Sequence, residues 1–526
     1  MMKLKSNIAK SIALMAVLGQ SLFFSCVKFE DVGPTDEFPG SKVDASTFNI
    51  ELVINEGYLL WANAHLSNHL PDANLIADHT AANIDGAKLG GNKNKFEYIR
   101  TEFQNGGMWS NAYKSINQAN LVLSVTEPDG GIDSYYEFQR GRLRGEALFL
   151  RAANTFLLLR YHGAQYSAQT KDMPGVIIKT KPAEDFNGGG RSTVQECYDF
   201  ILDDLTKAAE LIPVTFDNTI HQNFPSYKIR ARRFDVLALK ARVLFQMNRM
   251  DEAEELITSL IGFQPGVVTI EEAISPAPVM ELTTAQNATT LFSNSGATEA
   301  LNLRSFVAGF AVSDPYNLMF NVDQITDGEF SAIFLSKDFI SNYVDDKGLV
   351  INDEYFRMSS FIREAELEDA ESGEVTDTVY VFNKFSLDLG STTNWPTLRL
   401  EELILMRAEI RALNGQVNGA LPDINLLRAN RDAMEITSAP SKQQMIEIVA
   451  HDRALELIGE GERFFNWKRM GAYNETVAQV YPESVYKPFD RGNVLEIKWN
   501  SPETLYRLPL NEIQNNQDLS NSDQNP

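Results

Sequence analysis

The chain has 526 residues, of which 44% are hydrophobic, and carries a formal net charge of -24 at pH 7. This length is enough to bury a large core. The strong acidity argues against a nucleic-acid partner, because binding to phosphates requires a basic surface. With only two cysteines, Cys26 and Cys197, the composition also excludes a disulfide-rich fold, and Cys197 is expected to be a small buried residue.

The N-terminal segment begins with lysines and continues as an apolar run from Ile12 to Phe24 that ends just before Cys26. The run is too short to cross a bilayer and is typical of a signal peptide. Residues 22–26 resemble a bacterial lipobox, in which cleavage precedes a cysteine that is then acylated. We therefore expect a lipoprotein signal peptide over residues 1–25, lipidation of Cys26 and a polar tether over residues 26–40. An ordinary secreted protein with an unmodified cysteine is the alternative.

Helical patterns dominate residues 109–262. Apolar residues recur every three to four positions in the first predicted helix, which contains Trp109, Tyr113, Ile116, Ala119 and Leu123. A capping box at Ser134 opens a long helix that ends before Gly163. A third helix begins at Ser192 or Thr193 and stops at Pro213. A fourth is predicted over residues 230–247, and a fifth follows from Asp251.

A second helical block covers residues 396–526, with helices predicted from Pro396 to Gly415, over residues 421–431 and after a cap at Ser441. Paired helices expose an apolar face unless they stack on neighbours, so repetition is expected. The spacing of small and aromatic residues at Ala152 with Phe156, and at Ala241 with Phe245, is typical of tetratricopeptide repeats. Generic helical hairpins remain the alternative.

Residues 263–395 differ from both helical blocks, because helical periodicity fades and Gly, Pro, Ser, Thr and Asn become frequent. We predict two short strands, over residues 357–362 and 379–385. The acidic run between them, from Glu364 to Glu374, is interpreted as a solvated hairpin loop. Long irregular regions on a rigid scaffold often hold binding residues. Residues 65–107 form a second region of this kind.

Catalytic and metal-binding motifs are weak in this sequence. His65 and His69 could share one face of a helix, but Leu66 stands where a metalloprotease has its glutamate, so a structural role is favoured. The sequence contains no Gly-x-Ser-x-Gly elbow and no phosphate-binding loop of the Walker type. We expect no catalytic residue, cofactor or metal. Paired carboxylates for glycoside hydrolysis remain open, because their separation cannot be read from sequence.

Several stretches, in the same order along the chain, resemble the signatures of the SusD/RagB family of nutrient-binding lipoproteins. The matching stretches are residues 109–120, 145–163, 198–205, 241–245, 395–402, 406–409, 424–428, 460–463 and 508–512. One helix departs from the family pattern, since it reads His451-Asp452-Arg453-Ala454 where an acidic-Arg-Arg-acidic sequence is usual. We expect this departure to affect packing more than function.

The resemblance implies a mainly α fold, with a right-handed stack of tetratricopeptide-like helix-turn-helix pairs and an irregular, partly β ligand-binding region. It divides the chain into an N-terminal helical part (41–262, with binding loops 65–107), a ligand-binding region (263–395) and a C-terminal helical part (396–526). It also implies a lipid-anchored protein on the cell surface of the outer membrane. The implied partner is a SusC-like TonB-dependent transporter, and the implied ligand is an oligosaccharide or, in some members, a peptide.

Sugars offer apolar ring faces and hydroxyl edges, so aromatic side chains beside amides and carboxylates would bind them. The candidates in the irregular regions are Asn74, Asp78, Phe96, Tyr98, Tyr316, Phe320 and Trp395. For each, a core aromatic residue or an ordinary polar loop residue is the alternative. Two other functions also stay open, a surface glycoside hydrolase and a helical-repeat adaptor that binds only proteins.

Overall fold

The structure is a computed structural model, and the described residues belong to one compact unit, Ala45–Pro526. The described ranges are 47–65, 80–82, 106–127, 134–183, 188–213, 230–261, 267–269, 279–281, 325–326, 333–345, 350–368, 372–384, 398–477, 489–490, 493–494 and 497–526. The predicted signal peptide (1–25), the lipidation site Cys26 and the tether (26–40) lie outside these ranges.

Helices make up most of the described chain. Their bounds are α1 Thr47–Ala64, α2 Gly106–Val125, α3 Ser134–His162, α4 Val194–Leu211, α5 Arg233–Gln246, α6 Met250–Ile261, α7 Lys337–Ile340, α8 Tyr355–Phe361, α9 Leu400–Leu413, α10 Val417–Ala429, α11 Lys442–Glu456, α12 Arg463–Val477 and α13 Leu510–Asn515. The mainly α fold class predicted from the sequence is confirmed. None of these helices is both long and apolar enough to span a membrane.

Capping residues define two of the helix starts. The Thr193 side chain accepts a hydrogen bond from the backbone N–H of Glu196, and the Glu196 side chain reciprocates, so α4 begins with a complete capping box. Of the two starts considered for this helix, Thr193 is therefore confirmed. Ser441 and Gln444 form the same arrangement at the start of α11, as predicted.

Each helix from α1 to α5 packs on the next helix in the chain. Helix α6 packs on α9, and α9 packs on α10 and α11. Four consecutive pairs result, α1/α2, α3/α4, α5/α6 and α9/α10. The small and aromatic residues that predicted tetratricopeptide-like packing, Ala152 with Phe156 and Ala241 with Phe245, are all buried. Gly145 allows a close approach of α3 to the end of α4, since an added Cβ would lie 2.5 Å from the Cγ1 of Ile212.

Some helix predictions were wrong in extent. The helices α1, α7, α12 and α13 were not predicted, and α5, α9 and α10 begin at Arg233, Leu400 and Val417 rather than at the predicted positions. Helix α1 is hard to recognise because apolar residues occupy much of its circumference, as in other buried helices. Helix α10 accommodates Pro422 within its length, where a proline would usually signal a start.

The described strands are β1 Thr80–Ala82, β2 Val267–Thr269, β3 Val279–Glu281, β4 Ile325–Thr326, β5 Ile333–Leu335, β6 Ile362–Glu368, β7 Val375–Phe382, β8 Phe489–Asp490 and β9 Asn493–Val494. One sheet has the order β4-β6-β7-β5-β1-β8-β9, and β2 pairs with β3 separately. The longest pair is the antiparallel hairpin β6–β7. The predicted partly β character of the irregular region is confirmed.

The predicted positions of the two hairpin strands were wrong. Residues 357–361 belong to α8, and the first strand is β6, which contains part of the acidic run interpreted as a loop. The helix ends at Phe361 because the alternation from Ile362 onward suits a strand, with Glu364 and Glu366 on its exposed side. The second strand starts at Val375, before the predicted position, and Gly373 has a positive φ of 68° in the turn.

Candidate ligand-binding site

Strand β1 brings three distant parts of the chain together. It pairs antiparallel with β5, where Thr80 lies opposite Leu335, and parallel with β8, where Ala81 lies opposite Phe489. Because β1 lies in the irregular region 65–107 and β5 lies in the region 263–395, backbone hydrogen bonds fix the two predicted binding regions against each other. The C-terminal part joins the same sheet through β8 and β9.

The candidate ligand-binding residues lie outside the described part of the chain. This applies to Asn74, Asp78, Phe96, Tyr98, Tyr316, Phe320 and Trp395. In sequence, Asp78 comes shortly before β1, Phe320 shortly before β4 and Trp395 shortly before α9. The described structure therefore fixes positions in the chain close to several candidates, and their role in binding stays a prediction.

Both ends of the segment that carries Trp395 bind one buried carboxylate. Lys384, which follows β7, donates from Nζ to Oε1 of Glu460. Arg399, the residue before α9, donates from Nη2 to the same oxygen over 2.7 Å and from Nε to Oε2 over 3.0 Å. We call Lys384, Arg399 and Glu460 the Glu460 anchor. Burial lowers the pKa of Lys384 to about 8, although Glu460 acts in the opposite direction.

A second buried carboxylate lies beside this anchor. Glu456 accepts hydrogen bonds from Arg357 over 3.0 Å, Arg399 over 2.7 Å and Arg431 over 2.9 Å. Burial alone would raise the pKa of Glu456, but the three guanidinium groups hold it well below its usual range. These ion pairs join α8, α9 and α11, and α8 leads directly into β6 of the hairpin.

Another set of buried ion pairs joins the two helical blocks. Arg160 of α3 binds Glu462 in a two-pronged contact of 2.7 and 3.1 Å, and Arg242 of α5 binds Glu402 of α9. Arg453 of α11 belongs to the same set, since its guanidinium lies 3.6 Å from the carboxylate of Glu402. Since each side chain is buried, breaking one pair would leave an uncompensated charge in the core. The two helical blocks are thus joined by charge pairs as well as by apolar packing.

Sequence reasoning did not identify these buried charges. Arg242 and Arg453 interrupt otherwise apolar helical patterns, and that interruption is the signal that could have revealed them. Asp452, within the stretch that departs from the family pattern, binds Arg357 over 2.7 Å and Arg428 over 2.8 Å. Asp452 thus joins this stretch of α11 to α8 and α10.

His65 lies at the end of α1, in edge contact with Trp61. Burial, with a further contribution from Arg160 and Arg242, lowers the pKa of His65 to about 3, so the ring is neutral near pH 7. His69 lies outside the described residues. Within the described ranges, no group of three or more histidine, cysteine or acidic side chains is arranged to hold a metal ion.

An open groove of about 560 Å³ lies between α2, α3, α4 and residues 180–182. Its charged side chains are largely paired, Arg144 with Glu127 and Arg151 with Asp204. None of the described residues that line it is aromatic, so it lacks a platform on which a sugar ring could stack.

Comparison with known families gives two matches. A family model described as "Starch-binding associating with outer membrane" matches residues 35–243, and one described as "SusD family" matches residues 340–526. Together they include α1 to α4, most of α5, the β6–β7 hairpin and α9 to α13. No curated protein matches the sequence.

Solved structures share the fold. A SusD-like carbohydrate-binding protein from Bacteroides vulgatus superposes with a TM-score of 0.67 at 19% identity, covering 91% of this chain and 98% of the other. A SusD superfamily protein from Bacteroides thetaiotaomicron gives a TM-score of 0.65 at 19% identity, covering 91% and 100%. A laminarin-binding SusD-like protein gives 0.60 at 18% identity, covering 91% and 99%. The motifs, the helix stack and both family matches agree, and the chain belongs to the SusD/RagB family.

Proposed function

We propose that this protein is a lipoprotein of the outer-membrane surface that binds a glycan oligomer without chemistry and delivers it to a SusC-like TonB-dependent transporter. The observation that carries the proposal is the family match at both ends of the chain. The described sheet adds physical support, because it ties the two irregular regions to one rigid helical scaffold.

Binding is assigned to the two irregular regions, 65–107 and 263–395. Aromatic side chains there would stack on sugar rings, while amide and carboxylate groups would accept hydrogen bonds from hydroxyls. The solved relatives described as carbohydrate-binding and laminarin-binding favour a glycan over a peptide. We propose Asn74, Asp78, Phe96, Tyr98, Tyr316, Phe320 and Trp395 as ligand contacts.

Calorimetry on the purified protein lacking residues 1–26 tests this proposal, with laminarin, starch and other soluble glycans in separate titrations and a mixed peptide pool for comparison. We expect saturable binding of at least one glycan and no release of reducing sugar. Binding of peptides alone would replace the proposed ligand class. Release of reducing sugar that is lost on replacing an acidic residue would instead indicate a hydrolase.

Single alanine variants of Tyr98 and Trp395 test the assigned region. Loss of one stacked aromatic should weaken binding by about fivefold, since a stacking contact contributes on the order of 1 kcal/mol. The control is Phe200→Ala on α4, a half-buried aromatic far along the chain from both regions. Binding lost equally in all three variants would contradict the assignment.

The anchor and the transporter have their own test. Mass spectrometry of protein extracted from bacterial outer membranes should find Cys26 acylated at the new N-terminus, and the Cys26→Ser variant should be released into the soluble fraction. Gentle detergent extraction should co-purify a large outer-membrane protein with the wild type. Co-purification of other proteins only would favour a helical-repeat adaptor.

A further inference from the structure

Seven buried side chains form a series of ion pairs that begins and ends on arginine. Each member is in ion-pair contact with the next, so four guanidinium groups share three carboxylates. Glu460 also acts on Arg242, but it already pairs with Lys384 and Arg399. We call these residues the Arg-Glu series. In order, the members are Arg160, Glu462, Arg242, Glu402, Arg453, Glu409 and Arg469.

The two ends of the Arg-Glu series differ in how their donors are satisfied. At one end, Arg469 donates from Nε to Oδ1 of Asn466 over 3.1 Å and from Nη1 to Oδ1 of Asn248 over 3.4 Å. At the other end, Arg160 uses both terminal nitrogens on Glu462. The Nε of Arg160 is buried and has no hydrogen-bond partner among the described residues. The excess positive charge is therefore least compensated at Arg160.

Lys468 adds a second cationic group at the Arg160 end. It is 1% exposed, and burial together with Arg160 lowers its pKa to about 7. The Nζ of Lys468 lies 5.4 Å from the centre of the Phe464 ring, and the guanidinium of Arg160 lies 3.7 Å from that of Phe465. Aromatic faces offset part of a positive charge, but they carry no negative charge that could balance it.

Arg160 also lines a cavity of about 30 Å³ between α1, α3, α5 and the start of α9. A space of roughly 10–15 Å³ holds one water molecule, so this cavity has room for two waters or one ion of similar size, and none for a large polyatomic anion. Asp235 is the only carboxylate among the described lining residues, and Arg232 donates to it over 3.2 Å. Aromatic rings make up much of the wall, namely Trp61, Phe149, Phe156 and Phe234.

We propose that this cavity binds one small monovalent anion, chloride, beside Arg160. The Nε of Arg160 donates to the anion, and the excess positive charge of the Arg-Glu series and Lys468 attracts it. Burying an anion is unfavourable unless positive groups surround it, and here those groups are already buried. The edges of aromatic rings are partly positive and suit an anion as well. The bound ion continues the alternation of charges beyond Arg160 and stabilises the fold.

Thermal unfolding of the purified protein at pH 7 tests the proposal, in sodium chloride and in sodium gluconate at equal ionic strength. Gluconate is too large for the cavity and controls for general salt effects. We expect the unfolding midpoint to rise by about 1–2 °C with added chloride and then to level off, and to show no such rise in gluconate. Crystals grown in sodium bromide should give an anomalous peak beside Nε of Arg160.

The test variant is Lys468→Met, which removes the buried ammonium, and the matched control is Lys207→Met, which removes an exposed one. Lys468→Met should lose about half or more of the chloride-dependent shift, because one of the attracting charges is gone. Lys207→Met should keep the whole shift.

Three outcomes would overturn the proposal. Equal unfolding midpoints in both salts would do so, and a bromide peak without a shift in solution would then show binding at crystal concentration only. A chloride-dependent shift with bromide bound elsewhere would place the ion outside this cavity. A shift of equal size in the wild type and Lys468→Met would show that the charge at this end of the Arg-Glu series does not attract the ion.

Discussion

The indole Nε1 of Trp109 donates a hydrogen bond to the carboxylate of Glu512 over 3.2 Å. Trp109 belongs to the first motif of the family resemblance and Glu512 to the last, so the two ends of the matched sequence meet in the fold. Residues that follow α13 also contact the first helical block. Arg191 donates to the carbonyl of Asp523, and Asn525 donates to the carbonyl of His162 over 2.8 Å. The C-terminal segment thus closes on the first helical block.

Gly188 should be sensitive to substitution because the C-terminal segment packs directly on it. An added Cβ would overlap the side-chain amide of Asn516, which donates to the carbonyl of Gly189 and to Glu512. We expect Gly188→Ala to lower the free energy of unfolding by about 1–3 kcal/mol in chemical denaturation. Gly190→Ala is the control, since no atom lies within 4 Å of its added Cβ. Equal stability of the two variants would show that Asn516 does not need this contact.

Lys468 should reduce stability in the wild type. It is 1% exposed, and its Nζ has no hydrogen-bond partner in the described chain. Burial, together with the nearby Arg160, lowers its pKa to about 7. We expect Lys468→Met to raise the free energy of unfolding at pH 7 by about 1–3 kcal/mol, because a desolvated amine is replaced by an apolar side chain.

The gain in stability from Lys468→Met should decrease as the pH rises above 7. Between pH 7 and the pKa of an unfolded lysine near 10.5, the unfolded chain binds more protons at this position, so the wild type becomes more stable as pH rises. The advantage of Lys468→Met should therefore be largest at pH 7 and below and should shrink toward pH 10.5. Thermal unfolding at several pH values measures this difference in stability between the variant and the wild type. The control is Lys207→Met, which replaces an exposed lysine. A destabilised Lys468→Met variant would contradict the assignment.

Glu462 should be needed for stability at neutral pH. It pairs with the buried Arg160, and Glu462→Gln would leave that guanidinium without a counter-charge. We expect a loss of about 3–5 kcal/mol in the free energy of unfolding. The control is Glu252→Gln, an exposed carboxylate whose partner Arg249 is partly exposed, with an expected effect below about 1 kcal/mol. A similar effect of both substitutions would mean that the buried pair contributes no more than a surface pair.

Acid should reduce the difference between Glu462→Gln and the wild type. Burial acts to raise the pKa of Glu462, but Arg160 and Arg242 lower it further, and the net direction is down. When the pKa of a carboxyl group is lower in the folded than in the unfolded chain, the ionised group stabilises the fold at pH values above the unfolded pKa, near 4.5. This stabilisation is lost as the pH falls through the folded pKa. Chemical denaturation of both proteins between pH 7 and pH 3 measures how far their free energies of unfolding converge. A difference in stability that grows on acidification would contradict this prediction.

Elements with a local signal could be predicted from the sequence. Helix α4 is defined by its capping box at Thr193 and α11 by the box at Ser441, both of which depend on residues three positions apart. Arg357 shows the limit of local reasoning. Its segment has residues that suit a strand, but it is helical because the guanidinium reaches Asp452 and Glu456 on a helix far along the chain.

The candidate site was less predictable for the same reason. Strand β1 reads Thr-Ala-Ala and has no strand signature of its own; it exists because β5 and β8 pair with it on either side. The Glu460 anchor likewise depends on residues separated by sixty or more positions. The family resemblance supplied the fold and the class of function, whereas the candidate contacts such as Trp395 stay predictions.

The most direct test of glycan binding by the two irregular regions is amide hydrogen exchange of the full mature protein, with and without a saturating oligosaccharide. Binding at the proposed site predicts added protection in residues 66–79, 83–105, 282–324 and 385–397, and no change in the helices that line the groove between α2 and α4. Protection confined to that groove, or no change anywhere with a glycan shown to bind by calorimetry, would contradict the assignment of the site.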